Sequence, residues 1–597
     1  MNRSRKFIAL LIVFSVLFSM CSCSKTSGSG KGVKKADGIK PERVSKDIQN
    51  TPFATPGLEP SVTPVPNDDG IEEFYLFNTT YGEEKSEFNE IREIIAKTTG
   101  VRVIESWLYD MTPDEAIGSI IASGKLPDMI YSYDNYEFYN NNLLIAWDDY
   151  LEEYPNIKAL YTDEQWEQFR QDDGHIYWVD AIDRYKNKDT KAVHNEQAFW
   201  IQVRVLEWAG YPKIETLDQY FELLDKYSQA NPNMPDGTPV IPFTCICEDW
   251  RYYSIESAPM YLDGYPNNGC VIVNVDEGED NPKVIDYNTT DTAKAYFRKL
   301  NEEYNKGVID PNFAVQTYDE YISKVTTGRV LGLSDQYWDF AYNLMPEYSL
   351  KKTAEDGTEY TLYDLGCEYV PLGLVMEYGA EQQWHSYGSE INALGGLAVT
   401  TQCYDPETAF RFINDLLSDE ILTLRFWGIE TVDYYISEDG IYFRTEEMRR
   451  NWNDLSYREQ HTCEYTNMPQ WRGLFDDGIN RILPSEQPVE FKAELSQPAV
   501  ACLDVYGADN FVDFIGSKYC EPYPWYPLYY WSNSLTTDTE AGLAWYQMTD
   551  CKHEWIPKLV LSKDFDSDWD KYMKAYEECD PQVFIDAAQQ EVNNRLT

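Results

Sequence analysis

The stretch Ser86–Asp134, SEFNEIREIIAKTTGVRVIESWLYDMTPDEAIGSIIASGKLPDMIYSYD, decides the fold. Apolar residues at Phe88, Ile91, Ile94 and Ile95 recur at helical spacing, so an amphipathic helix is expected from Ser86 to about Thr98. Gly100 stops it, and Val101–Ile104 supplies a short β-branched strand. A second helix opens at Thr112-Pro113-Asp114-Glu115 and carries Ala116, Ile117, Ile120 and Ile121 on one face. Gly124 ends it, Pro127 turns the chain, and Met129–Tyr131 starts another strand. Upstream, Ile71–Phe77 is a plausible first strand leading to Asn78. Alternating strands and helices make an open parallel sheet, whose ligands gather at the C-terminal ends of its strands. Tyr133, Asp134 and Asn135, just past the last strand, are therefore expected to face a cleft.

The chain has 597 residues, and 43% hydrophobic composition suffices for a large core. Its formal net charge is −51, from 101 acids and 50 bases, which argues against a nucleic-acid partner because phosphate binding needs unpaired Lys and Arg. The 47 Tyr and 17 Trp provide flat apolar faces with a polar tip, a surface that suits sugars, although most of them must serve core and surface.

At the start, Arg3, Arg5 and Lys6 precede an apolar run from Phe7 to Met20. At about 14 residues it is too short to span a bilayer and right for a signal-peptide core. It ends in Met20-Cys21-Ser22-Cys23, which resembles a bacterial lipobox; the small Ser22 favours Cys23 as the lipidated residue. Residues 1–22 are then the leader. Residues 23–70, rich in Ser, Gly, Thr and Pro, form a tether with a basic first half (Lys25, Lys31, Lys34, Lys35, Lys40) suited to an anionic membrane surface.

Further motifs follow in order. They are Thr99–Val101 (TGV), Ala122–Asp128 (ASGKLPD), Tyr154–Asn156 (YPN), Asp173–Val179 (DGHIYWV), Phe199–Arg204 (FWIQVR), Gly307–Pro311 (GVIDP) and Gly328–Leu333 (GRVLGL). Gly395–Thr400 and Trp427–Glu430 continue the series. Together they resemble the extracellular solute-binding proteins of ABC transporters, family 1, over most of residues 71–597. The resemblance implies an α/β, two-lobed, periplasmic-binding-protein-like (type II) fold with an interlobe ligand cleft. Lobe one would comprise 71–181 and 390–440, lobe two 182–389, and the C-terminal region 441–597 would fall mostly in lobe two. It further implies a carbohydrate ligand, ABC permease subunits as partners, a membrane attachment through the lipid anchor, and a monomer. Several members carry a calcium-like loop after the helix that begins at Leu217. Here Asn231–Gly237 reads NPNMPDG, with carboxylates missing and Pro235 where a ligand should be, so no calcium is expected there.

No HExxH, GxSxG or Walker A pattern occurs, no CxxC pairs with a second one, and no carboxylate pair stands out among so many acids. Neither an enzyme nor a cofactor is expected, although an exported glycan hydrolase and a same-fold peptide binder stay open as alternatives. The candidate ligand contacts are Trp338, with Asp335 and Gln336 beside it past the Gly328–Leu333 strand, then Trp250, Arg251 and Trp384, and Tyr133, Asp134 and Asn135 in lobe one.

Overall fold

The computed structural model describes residues 70–596, apart from 110, 181–183, 277, 280, 389–390, 520–522 and 527. The leader, Cys23 and the tether lie outside the described residues. Two main sheets contain nine strands among the described residues: Glu72–Asn78 (β1), Val101–Ser106 (β2), Met129–Ser132 (β3), Trp178–Val179 (β4), Gln197–Gln202 (β5), Ile241–Thr244 (β6), Val330–Gln336 (β7), Tyr369–Leu372 (β8) and Gly396–Val399 (β9). The first sheet has the order β2-β1-β3-β9-β4 and the second β8-β5-β7-β6. β1, β2 and β3 are parallel, and β9 runs antiparallel to both β3 and β4. In the second sheet β6 and β7 are parallel, while β5 runs antiparallel to β7 and β8.

The opening unit forms for local reasons. Glu90–Thr99 (α1) starts four residues later than its periodicity suggests, because Asn89 caps it: the Asn89 side chain accepts from Arg92 N at 3.0 Å. Phe88 falls outside the helix and is 68% exposed. At the other end Gly100 takes φ 76°, a left-handed closure that glycine alone adopts without strain. Pro113–Ser123 (α2) opens with a reciprocal capping box, in which Thr112 Oγ1 accepts from Glu115 N and the Glu115 carboxylate accepts from Thr112 N. Among the described residues no helix is long and apolar enough to cross a membrane.

Each sheet has its own core. Phe74, Ile95, Val103, Ile130, Trp147, Trp178, Leu397 and Phe410 belong to the first, and Trp200, Tyr220, Phe243, Leu333, Trp384 and Ile556 to the second. The first core reaches past residue 440: Cys463, Tyr465, Met468, Phe475 and Ile482 are buried in it. Arg425 explains why. It is fully buried on the helix Asp419–Phe426, and its guanidinium donates to the carbonyls of Leu416, Glu464, Tyr465, Met468 and Pro469 at 2.8–3.4 Å. Burial pulls its pKa down to about 10, so it stays charged at neutral pH and holds segment 464–469 against the lobe. From Phe491 onward the chain packs on the second core.

Three segments pass between the cores among the described residues: Val179–Ala192, Trp384–Leu397 and Leu483–Phe491. They are tied to one another. Gly388 N donates to Asp189 Oδ2 at 2.8 Å, Lys191 Nζ donates to Gly388 O at 2.8 Å, and the Thr190 hydroxyl donates to Glu486.

Glu368, next to β8, is 5% exposed and accepts from Ser496 N at 3.2 Å and from the Ser496 hydroxyl. Burial pushes its carboxyl up to about 7. A carboxyl with a raised folded-state pKa gives its full stability below the unfolded value near 4.5 and loses it as pH rises through 7. Glu368→Gln, which keeps an acceptor and removes the charge, should therefore unfold at a higher temperature than wild type at pH 8. The gain should be on the order of 1–3 kcal/mol and should shrink toward zero at pH 5. A Tm difference that does not change between pH 5 and 8 would contradict this.

Candidate functional site

The crossovers determine which ends of the sheets meet. β4 finishes at Val179 and feeds the first crossover, and β9 enters from the second at Gly396, opposite Ser132 at the C-terminal end of β3. In the second lobe the first crossover delivers Gln197, at the start of β5, opposite Gln336, the last residue of β7. The C-terminal ends of β1 and β3 in one lobe, and of β6 and β7 in the other, therefore lie on the crossover side. These are the ends where open α/β sheets bind ligands.

On the second-lobe face, Trp338 and Trp250 stack at 5.3 Å between ring centroids with 19° between planes. Each keeps about a third of its surface exposed, 37% and 36%. Arg251 lies 4.5 Å over the Trp250 ring and 3.8 Å over Tyr318, and it forms two hydrogen bonds to Asp339 at 2.9 and 3.2 Å. A guanidinium held this way braces the aromatic platform and is already neutralised. Trp338 sits in the first turn of the helix Tyr337–Leu344, and Tyr342, four residues on and 54% exposed, shares its face.

Asp335 and Gln336 differ from the expectation. The strand continues through Gln336, pairing Asp335 with Ala198 and Gln336 with Gln197, so both residues are buried in the sheet. The Asp335 carboxylate accepts from the Tyr321 hydroxyl and from Gln336 N, both at 2.8 Å. Burial and the neighbouring Asp339 push its pKa well above the usual carboxylate range. Gln336 keeps a buried side-chain oxygen without a hydrogen-bond partner. Trp384 is a core residue: it has no exposed surface, stacks on Tyr261 at 4.3 Å, and donates its Nε1 to Leu374 O at 2.7 Å. It cannot touch a ligand.

On the first-lobe face Tyr133 is 44% exposed, with its carbonyl accepting from Asn392 Nδ2 of the second crossover at 3.0 Å. Asp134 is exposed, and one of its oxygens accepts from Tyr136 N at 2.8 Å. Asn135 is fully buried and donates to Gly396 O at 2.9 Å, so it fastens β9 beside β3 instead of presenting its amide to solvent. Its Oδ1 is buried without a partner, as are Thr79 Oγ1 past β1 and Trp107 Nε1 past β2. The sequence places Thr79 at the C-terminal end of the first strand without marking it as a ligand contact, and Trp107 carries no mark at all, although the strand-end rule that selects Asn135 applies equally to both.

Where the first two crossovers meet the second lobe, His194 and His385 contact each other through their Nδ1 atoms at 3.0 Å. His194 Nε2 lies 2.9 Å from the Gln197 carbonyl, which can only accept, so Nε2 carries the proton and Nδ1 accepts. His385 must then donate from Nδ1, which leaves its Nε2 a bare acceptor, buried and without a partner. Burial pulls the pKa of His194 down to about 4, and that of His385 well down, so both are neutral at pH 7. Nothing in the sequence signalled this pair, which is 191 positions apart.

A cavity of about 840 Å³ lies elsewhere, against the outer edge of β2, with Lys85, Phe88, Arg92, Arg102 and Glu105 in its wall. All its lining residues belong to one lobe. Closure of two lobes cannot act on a site there, so the crossover-side faces remain the candidate site. In the 231–237 loop the Asp236 carboxylate is engaged by Thr238 N at 3.0 Å and by the Thr238 hydroxyl.

No family model matches the chain. It is similar to the fructooligosaccharide ABC transporter substrate-binding protein FusA of Streptococcus pneumoniae, with 26% identity over 254 residues, 39% of this chain and 44% of that protein. It is similar to Lipoprotein LipO of Bacillus subtilis, with 24% identity over 340 residues and 55% of each chain. The polygalacturonan/rhamnogalacturonan-binding protein YtcQ of Bacillus subtilis is 20% identical over 388 residues, 62% of this chain and 68% of that one. The chain thus spans about half the length of the first two relatives. Among solved structures, an extracellular solute-binding protein from Bifidobacterium longum subsp. infantis aligns at TM-score 0.59 and 14% identity, covering 89% of this chain and 99% of that one. FusA in complex with fructo-nystose aligns at 0.52 and 17%, covering 88% and 99%. The fold is therefore the two-lobed α/β fold of the solute-binding proteins.

Trp338 offers an exposed ring face at a strand exit. Its truncation should weaken the binding of any ligand that lays an apolar face on it about 5- to 150-fold, the equivalent of 1–3 kcal/mol for one large apolar contact. Trp250→Ala, which also removes the brace behind it, should cost at least as much. Calorimetric titration checks both variants; unchanged affinity with a large fall in Tm would make the pair a packing feature only.

Proposed function

We propose that this protein is the extracytoplasmic substrate-binding subunit of an ABC importer, taking an oligosaccharide between its two lobes and delivering it to a membrane permease. The observation that carries this reading is the stacked, part-exposed Trp250–Trp338 pair on a strand-end face that the crossovers turn toward the other lobe. Sugar rings present one face of C–H groups, which an indole covers, while their hydroxyls need acceptors and donors at the rim. The relatives support the class: FusA is named as a fructooligosaccharide ABC transporter substrate-binding protein and YtcQ as a polygalacturonan/rhamnogalacturonan-binding protein. In this reading the chain performs no chemistry. Closure about the crossovers sequesters the ligand, and energy for transport comes from a separate ATPase.

The protein acts as a monomer, so ligand should compact it without association. Small-angle scattering should show a smaller radius of gyration at unchanged mass when a bound oligosaccharide is present. No change with a ligand that calorimetry shows to bind would overturn the closure model.

Anchoring belongs to the same reading. Cys23 after Ser22 is the lipid attachment point and 23–70 the spacer on the extracellular face, in keeping with the lipoprotein name of LipO. Mass spectrometry of the mature N-terminus should find lipid on Cys23; lipid on Cys21, or none, would contradict it.

A further inference from the structure

Resting on the oligosaccharide reading, we infer that the cleft takes a neutral oligosaccharide and excludes uronate chains. Recognition of a sugar carboxylate requires a cation whose charge is not already matched, ideally a guanidinium free to form two parallel hydrogen bonds. The segments that leave the strand ends, taken with the second crossover, are 78–83, 106–111, 132–137, 245–252, 335–343 and 385–396. Each contains at least one acid, and together they contain a single Lys or Arg, Arg251.

Arg251 is not available. Asp339 holds it through two hydrogen bonds, the Trp250 and Tyr318 rings lie against it, and its side chain is only 16% exposed. The exposed charges in these segments include the carboxylates of Asp249, on the same loop as Arg251, and of Asp134, past β3 in the first lobe. His385, the other basic group in these segments, is neutral and only 3% exposed, with its Nε2 buried, so it offers a ligand no positive charge. Exposed carboxylates accept from hydroxyl donors and repel an anion, and the whole-chain charge of −51 adds to the repulsion.

The first crossover is the basic exception, and most of its cations are engaged. Arg184 lies 4.3 Å over the Tyr161 ring and donates to Leu160 O at 3.2 Å. Lys186 bridges Asp419 and Asp476 at 2.8 and 2.7 Å, and Lys191 is bound to Gly388 O with Asp189 at 3.7 Å. Lys188 is exposed, and its carbonyl packs against the Gly473 turn of the first lobe.

The test is a calorimetric panel on the mature protein. It compares neutral tetrasaccharides (nystose, galactotetraose, xylotetraose and maltotetraose) with tetragalacturonate at 20 and 200 mM salt. At least one neutral tetrasaccharide should bind about 100-fold more tightly than tetragalacturonate, with an affinity that salt hardly changes. Tetragalacturonate binding as tightly as any neutral sugar would overturn the inference and leave the oligosaccharide reading standing. If that binding also disappeared in Lys188→Gln, Lys188 would be the cation that holds the sugar carboxylate. Binding of neither class would take down the oligosaccharide reading itself, and the inference with it.

Discussion

The constraint on which the structure depends is that both sheets are entered and left at the same end. β4 and β9 share the crossover end of the first sheet, and β5 and β7 share that of the second, through the pairs Leu397–Val179 and Gln336–Gln197. Antiparallel strands at these positions let the chain change lobes without crossing a sheet. As a consequence, the exits of the parallel strands point toward the partner lobe. Ties among the crossovers, from Asp189 and Lys191 to Gly388 and from Thr190 to Glu486, then limit how the lobes can move. A hinge made of a few hydrogen-bonded segments beside two packed cores is suited to rigid-body closure.

Buried charges in the cores around this hinge are set against partners at two places. Arg425 satisfies five carbonyls, while Lys552, fully buried, faces Glu256 at 3.3 Å. A buried charge without such partners would cost several kcal/mol, so these residues fix which segments belong to which lobe. The aromatic residues divide in the same way. Trp147, Trp178, Trp200 and Trp384 are core, whereas Trp250 and Trp338 stand at a strand exit with a third of their surface exposed.

Local rules made the opening unit legible. Gly100, Thr112 with Glu115, and Gly124 act within one turn of chain, and α1, β2, α2 and β3 follow from them. The order of short motifs carried the two-lobed fold. What the sequence hid depends on distant partners. β7 overruns its apolar stretch because Ala198 and Gln197 pair with Asp335 and Gln336, and that pairing buries two residues that look like loop. Trp384 resembles an exposed loop aromatic until Tyr261 and Leu374 cover it. Segment 442–483 has no strong periodicity of its own and joins the first core through Arg425. Of the candidate contacts, the structure leaves Trp338, Trp250, Tyr133 and Asp134 with exposed side chains on the crossover-side faces, and gives Arg251 a supporting place behind them.

The most direct test of the central claim is amide hydrogen exchange on the mature protein, with and without a saturating tetrasaccharide that binds. If ligand is held between the strand-end faces, protection should rise together at 132–137, 245–252, 335–343 and across the crossover 384–397. Protection confined to 84–105 and the neighbourhood of Cys463, around the 840 Å³ cavity, would place the site within one lobe and contradict the account.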